Sequence, residues 1–532
     1  MSQPLPQSPE GATMADVEKG AVPDPKAIVE VADVEASGPK HGQAPSTLAG
    51  RVRQFLLDAA RSGRLEGRGI APVPPEERTM KKTVTVFTLW WTMNTNILGV
   101  IFGILAPTVF GLQLRDAALI ILFFMLLTAT LTGYFSTLGP KTGMRQMVQA
   151  RYSWGRYPVT LPVILNLSTM VGFMLVQCII GSQCLSAVAS GSSAGGDAIV
   201  SQNAGIVIIA LLALFISFCG YRVLHVYEQY ASIPAAIALA IVAGLGAAGF
   251  QRPLPEPNPP ATVANTLSFG MIVASYMIPY APLASDFTAY MDPKTSSTKV
   301  FAYCYTGLVI PSALLMILGA AIGSALPANP TWKAGYDTYL VGGVLDAILA
   351  PAGGFGKFVV VVLAFSLLGN LAATSYSVTL NMQQFLTPLA PRLLRLVPRY
   401  AYAVLLTAVL IPVAIALARD FLTNLENFIA LIAYWSSAFV AVLLAEHFWF
   451  RGGDAASYDP EDWNDARRLP PGVAALASLL VSFGAVVPFM AQAWWTGPVA
   501  KVTGDIGFEL AFVIAGLVYL PLRTVEKKIA GR

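Results

Sequence analysis

Charged residues are scarce in this sequence. They make up 12% of the 532 residues, whereas a soluble globular protein carries about 25%. Hydrophobic residues account for 55% of the chain, and the mean hydropathy is +0.61. The scarcity of charge excludes an ordinary soluble protein and indicates a polytopic membrane protein embedded in the lipid bilayer. The net charge of only +4 gives no indication of a nucleic-acid partner.

Metal ligands and catalytic motifs are missing as well. The chain has 3 histidines and 4 cysteines, and Cys178, Cys184, Cys219 and Cys304 lie inside apolar runs without a CxxC pair. We interpret the cysteines as small core residues and expect no metal site and no cofactor. The sequence contains no His-Glu-x-x-His motif, no nucleophile elbow and no phosphate-binding loop. It therefore predicts neither an enzyme nor a pump driven directly by ATP.

The start of the chain lacks the apolar runs of the remainder. Pro, Gly, Ser and acidic residues dominate up to Ser46, which is a composition typical of disorder, and no signal-peptide pattern is present. We predict that residues 1–80 form a largely disordered cytoplasmic tail. Within it, LAGRVRQFLLDAA at 48–60 is either an amphipathic helix on an anionic leaflet or a solvated helix. The basic residues that favour the first alternative are Arg51, Arg53 and Arg61.

Twelve apolar runs follow the tail. Each approaches the length of about 20 residues that a spanning helix needs. They are 84–110, 116–138, 158–188, 204–220, 232–250, 266–290, 300–325, 357–387, 400–418, 421–450, 471–492 and 507–523. We therefore predict an all-α polytopic membrane protein with 12 transmembrane helices.

The basic residues of the short connections predict the orientation, because Lys and Arg are retained on the cytoplasmic side. One alternating set of connections holds Lys141, Arg145, Arg151, Arg156, Arg222, Lys294, Lys299, Arg392, Arg395, Arg399, Arg451, Arg467 and Arg468. The other set holds Arg115, Arg252, Lys333, Lys357, Arg419 and Lys501. The first set is expected to face the cytoplasm, which also places both termini there.

Two of the predicted helices are interrupted. The sixth contains MIPYAPLASDF, in which Pro279 and Pro282 each lack an N–H group; a proline costs about 3 kcal/mol in a helix interior. The first contains Asn94, Asn96 and Gly99 at a comparable depth. Prolines in membrane helices often cause only a kink. Matched interruptions in consecutive five-helix units are instead typical of a transporter built from inverted repeats, with its substrate site between the two breaks.

The interruptions predict a division of the chain into a five-plus-five inverted repeat and two further helices. The expected units are 81–250 (first five-helix repeat), 266–450 (second, inverted repeat), 451–470 (cytoplasmic loop), 471–523 (helices 11 and 12) and 524–532 (cytoplasmic C-terminal tail).

Polar and aromatic side chains near the two breaks are candidates for binding a flat heterocycle, which needs an aromatic face and partners for its polar edge. Phe173 and Gln177 are four residues apart, as are Asn370 and Thr374, so the members of each pair share a helix face. For each residue the alternative is ordinary helix packing or interhelical hydrogen bonding. The predicted substrate-binding residues are Thr92, Asn94, Asn96, Phe173, Gln177, Tyr280, Asn370 and Thr374.

An acidic residue also lies in the sixth run. A carboxylate inside a membrane helix is costly and is therefore a functional candidate. Asp286 lies only four residues before Tyr290, where the run ends. Two interpretations remain open: a proton carrier, or a structural ion pair with an arginine of the adjoining loop.

Several segments resemble the fungal purine-cytosine permeases, within the nucleobase-cation symporters. The matching segments run in collinear order from about Arg68 to the end of the chain. They are RGIAPVPPEERT, WWTMN, LAPTVFGL, GPKTGMRQMVQARYSWG, YAPLASDFTAYM, GFGKFVVVVLAFSLLGN, IAYW and MAQAWWTGPVA. The resemblance implies the fold of the sodium-coupled amino-acid transporters, and import of a nucleobase or related heterocycle across the plasma membrane with a proton as the coupling ion.

The chain departs from the family pattern at the implied substrate positions. Thr92 stands where a serine is typical, and Phe173 and Gln177 stand where Trp and Asn are usual. Tyr280 occupies the place of a Trp, and the Asn-Asn-x-Pro-Asn signature of the eighth helix reads Asn370-Leu-Ala-Ala-Thr374. Because a polar site rejects analogues that leave its groups unpaired, the changes predict altered specificity. The alternatives to a nucleobase are vitamin B6 or another small heterocycle, another cation in place of the proton, and a nutrient receptor that does not transport.

Overall fold

The computed structural model describes residues 69–190, 199–218, 230–252, 259–390, 399–492 and 494–532. The predicted helix at 48–60 and most of the predicted tail lie outside these residues, as do Cys219, Arg222, Arg392 and Arg395.

Helices form almost all of the described chain, with only two isolated β-bridges between extended residues. The all-α prediction is confirmed. The long helices are α1 (Val84–Asn94), α2 (Leu98–Thr108), α3 (Leu114–Thr142), α4 (Thr160–Ala189), α5 (Gln202–Phe218), α6 (Ser232–Phe250), α7 (Val263–Met277), α8 (Ser297–Ala325), α9 (Pro330–Leu349), α10 (Gly353–Leu389), α11 (Arg399–Leu417), α12 (Phe421–Ala445), α13 (Val473–Val486) and α14 (Gly507–Ala530).

Eight helical segments of the described chain are long and apolar enough to cross a membrane, or nine if α1 and α2 form one broken span. Two of the eight, Pro330–Leu389 and Ala401–Phe450, each contain two of the named helices in succession. Helix α5 and the segment Val473–Phe489 are apolar but shorter. These segments agree with a polytopic membrane protein.

Two regions differ from the sequence-based expectation. The connection between the predicted seventh and eighth spans holds α9, which bends at Tyr339 and Leu340. Gly342 lets α9 approach α4 closely, because a Cβ there would lie 2.3 Å from the main-chain carbon of Gln183. Helix α14 continues to Ala530 through the segment predicted as a tail. Basic residues in its last turn favour this extension, because they interact favourably with the carboxyl end of the helix dipole.

Close contact between α2 and α8 fixes the position of α2. A Cβ on Gly103 would lie 1.9 Å from the carbonyl oxygen of Met316, and a Cβ on Gly319 would lie 2.0 Å from that of Val100. Only glycine permits such an approach, and small residues are the usual means by which membrane helices pack closely.

The connections of the predicted cytoplasmic set meet at one end of the bundle. Lys141 donates to the carbonyl of Pro293, and Arg151 donates to the side chain of Asn464 over 2.9 Å. Burial, reinforced by the neighbouring Arg156, lowers the pKa of Arg151 to about 9. Their meeting at one end agrees with the prediction that these connections share one side of the membrane. We refer to this end as the predicted cytoplasmic end.

The segment before α1 is attached to the same end. Arg78 is buried and donates hydrogen bonds to four main-chain carbonyls, those of Val73, Pro140, Lys141 and Thr142. Burial lowers the pKa of its guanidinium group. Met80 forms a parallel bridge with Met291. The entry to α1 is thus held against the end of α3 and the residues that follow the sixth predicted span.

Candidate substrate site

The first predicted span is broken in the structure. Helix α1 ends at Asn94, α2 begins at Leu98, and their axes differ by 52°. The side chain of Asn96 holds the break: its Nδ2 donates to the carbonyl of Met93 over 2.7 Å, and its Oδ1 accepts from the N–H of Leu98 over 2.8 Å. It thereby satisfies groups that both half-helices leave unpaired at their ends. The break lies at residues 95–97, and Gly99, which was expected to cause it, lies inside α2.

The sixth predicted span changes its helix type. Helix α7 ends at Met277, and Ile278–Phe287 continues as a 3₁₀ helix that contains Pro279 and Pro282. A 3₁₀ run of more than three or four residues is uncommon and often marks strain or a functional hinge. The predicted interruption by the two prolines is therefore present.

A hydrogen-bond network centred on Asn370 connects four chain segments. Its Oδ1 accepts from Gln177 Nε2 of α4 over 3.1 Å and from Thr374 Oγ1 over 3.0 Å. Its Nδ2 donates to the hydroxyl of Tyr280 in the 3₁₀ segment over 3.1 Å and to the carbonyl of Met93 in α1 over 2.8 Å. The amide of α10 therefore links α4 to both interrupted helices.

One acceptor in this network is left over. Gln177 is fully buried, and its Oε1 has no hydrogen-bond partner within the described part of the chain. The Tyr280 hydroxyl accepts from Asn370 and keeps its own proton for donation. An unpaired acceptor and a hydroxyl donor on two residues that both bond to Asn370 are suited to a small molecule that carries an N–H group and a carbonyl or ring nitrogen.

Aromatic rings flank the network. Tyr280 lies edge-on to Trp90 with ring centroids 5.3 Å apart, and Trp90 in turn lies edge-on to Phe287 at 5.5 Å. Phe173, half-buried one turn from Gln177, lies edge-on to Phe428 at 5.6 Å. Rings at right angles to their neighbours leave their own faces to be covered by other groups.

The structure brings four of the predicted residues into one network: Gln177, Tyr280, Asn370 and Thr374. The carbonyl of Phe173 joins it by accepting from Gln177 Nε2 over 3.1 Å. Sequence reasoning did not identify the contribution of Met93, because a main-chain carbonyl exposed by a helix break has no signature in residue type.

Three predicted residues lie outside this network. Asn94 bonds in another direction, since its Oδ1 accepts from Ser312 Oγ of α8 over 3.2 Å. Asn96 is occupied with the main chain at the break, and Thr92 is buried near the end of α1. The last turn of α1 therefore contributes the main-chain carbonyl of Met93 to the network and the side chain of Asn94 to the contact with α8. A role for these three residues in substrate binding stays a prediction.

Asp286 lies at the predicted cytoplasmic end. Its Oδ1 accepts from the main-chain N–H of Gln146 over 2.9 Å, and its own carbonyl accepts from Arg145. The Arg145 guanidinium also lies over the ring of Tyr290, 5.3 Å from its centroid, and over that of Tyr376, at 5.7 Å. These contacts fasten the end of the 3₁₀ segment to the connection between α3 and α4, and they favour the structural interpretation of Asp286.

Among the residues that the structure describes, no three His, Cys, Asp or Glu side chains lie together as they would around a metal ion. The groups available at the site are amides, hydroxyls and aromatic rings.

Comparison with known proteins gives concordant results. The family model described as "permease for cytosine/purines, uracil, thiamine, allantoin" matches residues 72–462. The chain is 33% identical over 526 residues to purine-cytosine permease fcyB of Emericella nidulans, covering 98% of this chain and 100% of that one. It is 26% identical over 524 residues to vitamin B6 transporter TPN1 of Saccharomyces cerevisiae, covering 88% of each chain.

The fold is similar to that of Mhp1, a nucleobase-cation-symport-1 family transporter solved in a closed conformation with bromovinylhydantoin bound. The TM-score is 0.64 at 17% identity, and the match covers 87% of this chain and 96% of that chain. At this identity the likeness establishes a shared fold.

Proposed function

This chain belongs to the family of permeases for cytosine and purines, uracil, thiamine and allantoin, and from that membership we propose that it imports a nucleobase or a closely related nitrogen heterocycle by secondary active transport. The homologues are permeases and not enzymes. The observation that carries the proposal is the Asn370 network, in which Asn370 bonds to both interrupted helices and to Gln177, whose buried Oε1 has no partner among the described residues. A membrane protein tolerates irregular backbone at this depth where it lines a cavity or is buried in protein.

The proposed architecture has 12 spans in a five-plus-five inverted repeat with two C-terminal helices. Two features support it: α1 with α2, and α7 with the 3₁₀ segment, are interrupted five predicted spans apart. In such transporters the two repeats move against each other around a fixed midplane site. The family membership leads us to place the protein in the plasma membrane, and the basic connections lead us to place both termini in the cytoplasm.

The proposed substrate contacts follow from the chemistry of the network. Gln177 Oε1 would accept from an N–H group of the ring, and the Tyr280 hydroxyl would donate to a neighbouring oxygen or ring nitrogen. Phe173 would contribute an aromatic surface, while Thr92, Asn94, Asn96 and Thr374 would complete the wall of the site. The coupling ion is proposed to be a proton.

Vitamin B6 is the second candidate substrate. A relative named as a vitamin B6 transporter aligns over 88% of this chain, and the residue replacements at the site favour an altered specificity. Pyridoxine carries a phenolic hydroxyl on a pyridine ring, whereas a nucleobase carries ring N–H groups. Because the two compounds offer different donors to the site, competition experiments distinguish the two candidates.

The test is uptake in a host that lacks its own nucleobase and vitamin B6 transporters. Cells that express the chain should accumulate labelled cytosine or adenine, and a protonophore should abolish accumulation. Unlabelled purines, pyrimidines, allantoin, pyridoxine and thiamine then rank the substrates by competition. If pyridoxine is the only compound that competes, the substrate is vitamin B6 and not a nucleobase.

Two other outcomes would overturn separate parts of the proposal. Uptake that is indifferent to the protonophore would reject proton coupling while leaving transport intact. Saturable binding of cytosine to the purified protein, without flux into proteoliposomes, would identify a receptor that does not transport.

A further inference from the structure

Helix α10 carries a continuous polar stripe from the network to the predicted cytoplasmic end. Its members follow at intervals of four, three, four and three residues, which places them on one helix face. They are Asn370, Thr374, Ser377, Asn381 and Gln384. All are buried, and Thr374, at 9%, is the most exposed. At 1.5 Å per residue the stripe is about 21 Å long, which exceeds half of the hydrocarbon thickness of about 30 Å.

Helix α4 supplies matching partners along this stripe. Asn166 Nδ2 donates to Asn381 Oδ1 over 3.1 Å, just as Gln177 Nε2 donates to Asn370 Oδ1 over 3.1 Å. The two positions on α4 are eleven residues apart, and so are the two on α10. The helices therefore run antiparallel in register, and the amide pair of the network recurs three turns closer to the predicted cytoplasmic end. Gln384 continues the line by donating to the carbonyl of Met147 over 2.9 Å.

The seam between α4 and α10 holds more polar atoms than its own contacts use. Asn166 Oδ1, Ser377 Oγ and Gln384 Oε1 are buried and have no hydrogen-bond partner among the residues that the structure describes. Interhelical hydrogen bonding explains the Asn166 to Asn381 bond. It does not explain three unpaired atoms on the same seam, because leaving a buried polar atom unpaired is unfavourable and apolar residues would pack there without that penalty.

Apolar side chains gather near the predicted cytoplasmic end of the stripe. A separate apolar cluster contains Leu380 of α10, and its other members come from the segment before α1 and from the connections after α3 and α12. They are Ile70, Met144, Val148, Tyr152, Tyr458 and Leu469. Because Met144 and Leu380 belong to different proposed repeats, relative movement of the repeats would separate them.

We propose that this seam is the inner half of the translocation path, and that Asn166, Ser377 and Asn381 form a second, transient binding site for the heterocycle between the Asn370 network and the cytoplasm. The inference rests on the proposed transport function. The ligand is a small planar heterocycle with N–H groups, because the two unpaired atoms of this site, the amide oxygen of Asn166 and the hydroxyl of Ser377, are able to accept from it, while Asn381 holds the Asn166 side chain in place. A substrate that leaves the Gln177 acceptor meets replacement acceptors on this path, which lowers the barrier to its release.

Asn381→Leu tests the proposal. The variant keeps a side chain of similar volume but removes the acceptor that positions the Asn166 amide in the second site. In proteoliposomes we expect turnover of labelled cytosine to fall at least fivefold. Equilibrium binding of labelled cytosine to the purified protein reports on the site at the Asn370 network. Its Kd should stay within twofold of the wild-type value, because Asn381 is three helical turns away from Asn370.

Thr379→Val is the matched control. Thr379 is buried on the same helix two residues away and off the stripe, and its hydroxyl donates to the carbonyl of Tyr376 on its own helix. The control should leave both turnover and Kd unchanged. Ser377→Ala adds a variant that removes one unpaired hydroxyl without disturbing the Asn166 to Asn381 bond, and it decides the question if Asn381→Leu fails to fold. We expect it to lower turnover at least twofold.

The proposal is overturned if Asn381→Leu and Ser377→Ala both turn over at the rate of Thr379→Val. It is also overturned if Asn381→Leu weakens Kd as much as it lowers turnover, since the position would then act on the first site. If the wild type takes up none of the heterocycles, the proposed function fails and the second site with it. Transport by the wild type with unaffected variants overturns the second site alone.

Discussion

Gln177 of α4 and Asn370 of α10 are joined by an amide hydrogen bond of 3.1 Å, and this bond leaves the Oε1 of Gln177 without a partner among the described residues. Asn370, in contrast, uses both of its polar atoms within the network. The pair therefore has a division of roles: Asn370 fixes the geometry of four segments, and Gln177 presents the acceptor that a ligand can occupy.

Gln177→Leu should weaken substrate binding at least tenfold, or about 1.4 kcal/mol. The variant removes the one acceptor of the network that has no partner inside the described chain, and it leaves Asn370 Oδ1 with Thr374 as a donor. Equilibrium binding of labelled cytosine to purified protein measures the effect. The level of folded protein at the cell surface should not change.

The control for this variant is Gln183→Leu. Gln183 is a second buried glutamine on α4, and neither of its amide atoms has a partner among the described residues. Replacement of an unpaired buried amide by an apolar group of similar size is near neutral or stabilising. Equal losses of binding in both variants would contradict a specific role for Gln177.

Two substitutions of Tyr280 should separate its ring from its hydroxyl. Tyr280→Phe removes the acceptor of an Asn370 hydrogen bond and the proton available to a ligand, and we expect a loss of about 1 kcal/mol, or about fivefold in Kd. Tyr280→Ala also removes the ring that packs against Trp90, and should cost more. Competition by unlabelled bases against labelled cytosine gives both values. Equal values for the two variants would show that the ring contributes nothing.

The helices were predictable because long apolar runs have few alternatives in a membrane chain. The predicted run 232–250 has the same bounds as α6. Helix α9 was missed because its first half contains Lys333, Asp337 and other polar residues that conceal an apolar second half. The break of the first span was predicted to involve Gly99, yet capping by Asn96 places it three residues earlier.

The candidate site was predictable where spacing along one helix decides the geometry. The four-residue spacing of Asn370 and Thr374 does bring them into contact. The orientation of Asn94 was not predictable, because the position of Ser312 relative to α1 depends on how closely α8 packs, and that depends on glycine contacts between helices. Prediction of the bond between Asn166 and Asn381 would have required the register of α4 against α10. The periodicity of each helix sequence does not contain that information.

Asp286→Asn distinguishes the two interpretations of this acid. Asn retains the oxygen that accepts from the Gln146 N–H, so in the structural interpretation the variant should fold and keep uptake that is sensitive to a protonophore. Asp286→Ala removes that acceptor and should destabilise the protein by about 1.5–3 kcal/mol, the range for a hydrogen bond to a charged group. Thermal unfolding and uptake measure the two effects. If Asp286→Asn takes up substrate but no longer responds to the protonophore, Asp286 is a proton carrier.

Gly319→Ala tests whether close packing of α8 against α2 holds the first broken helix in place. The new Cβ would lie 2.0 Å from the carbonyl oxygen of Val100, so α2 must shift, and overpacking of this kind costs about 1–3 kcal/mol. Gly484→Ala on α13 is the matched control, because a Cβ there meets nothing within 4 Å, and such a change is expected to stabilise by about 0.4–1 kcal/mol. The thermal midpoint of the purified protein should fall for Gly319→Ala and not for Gly484→Ala. Displacement of α2 should also disturb the Met93 carbonyl at the break, so that cytosine binding weakens in the first variant only. Equal midpoints and equal binding would mean that the position of α2 does not depend on this contact.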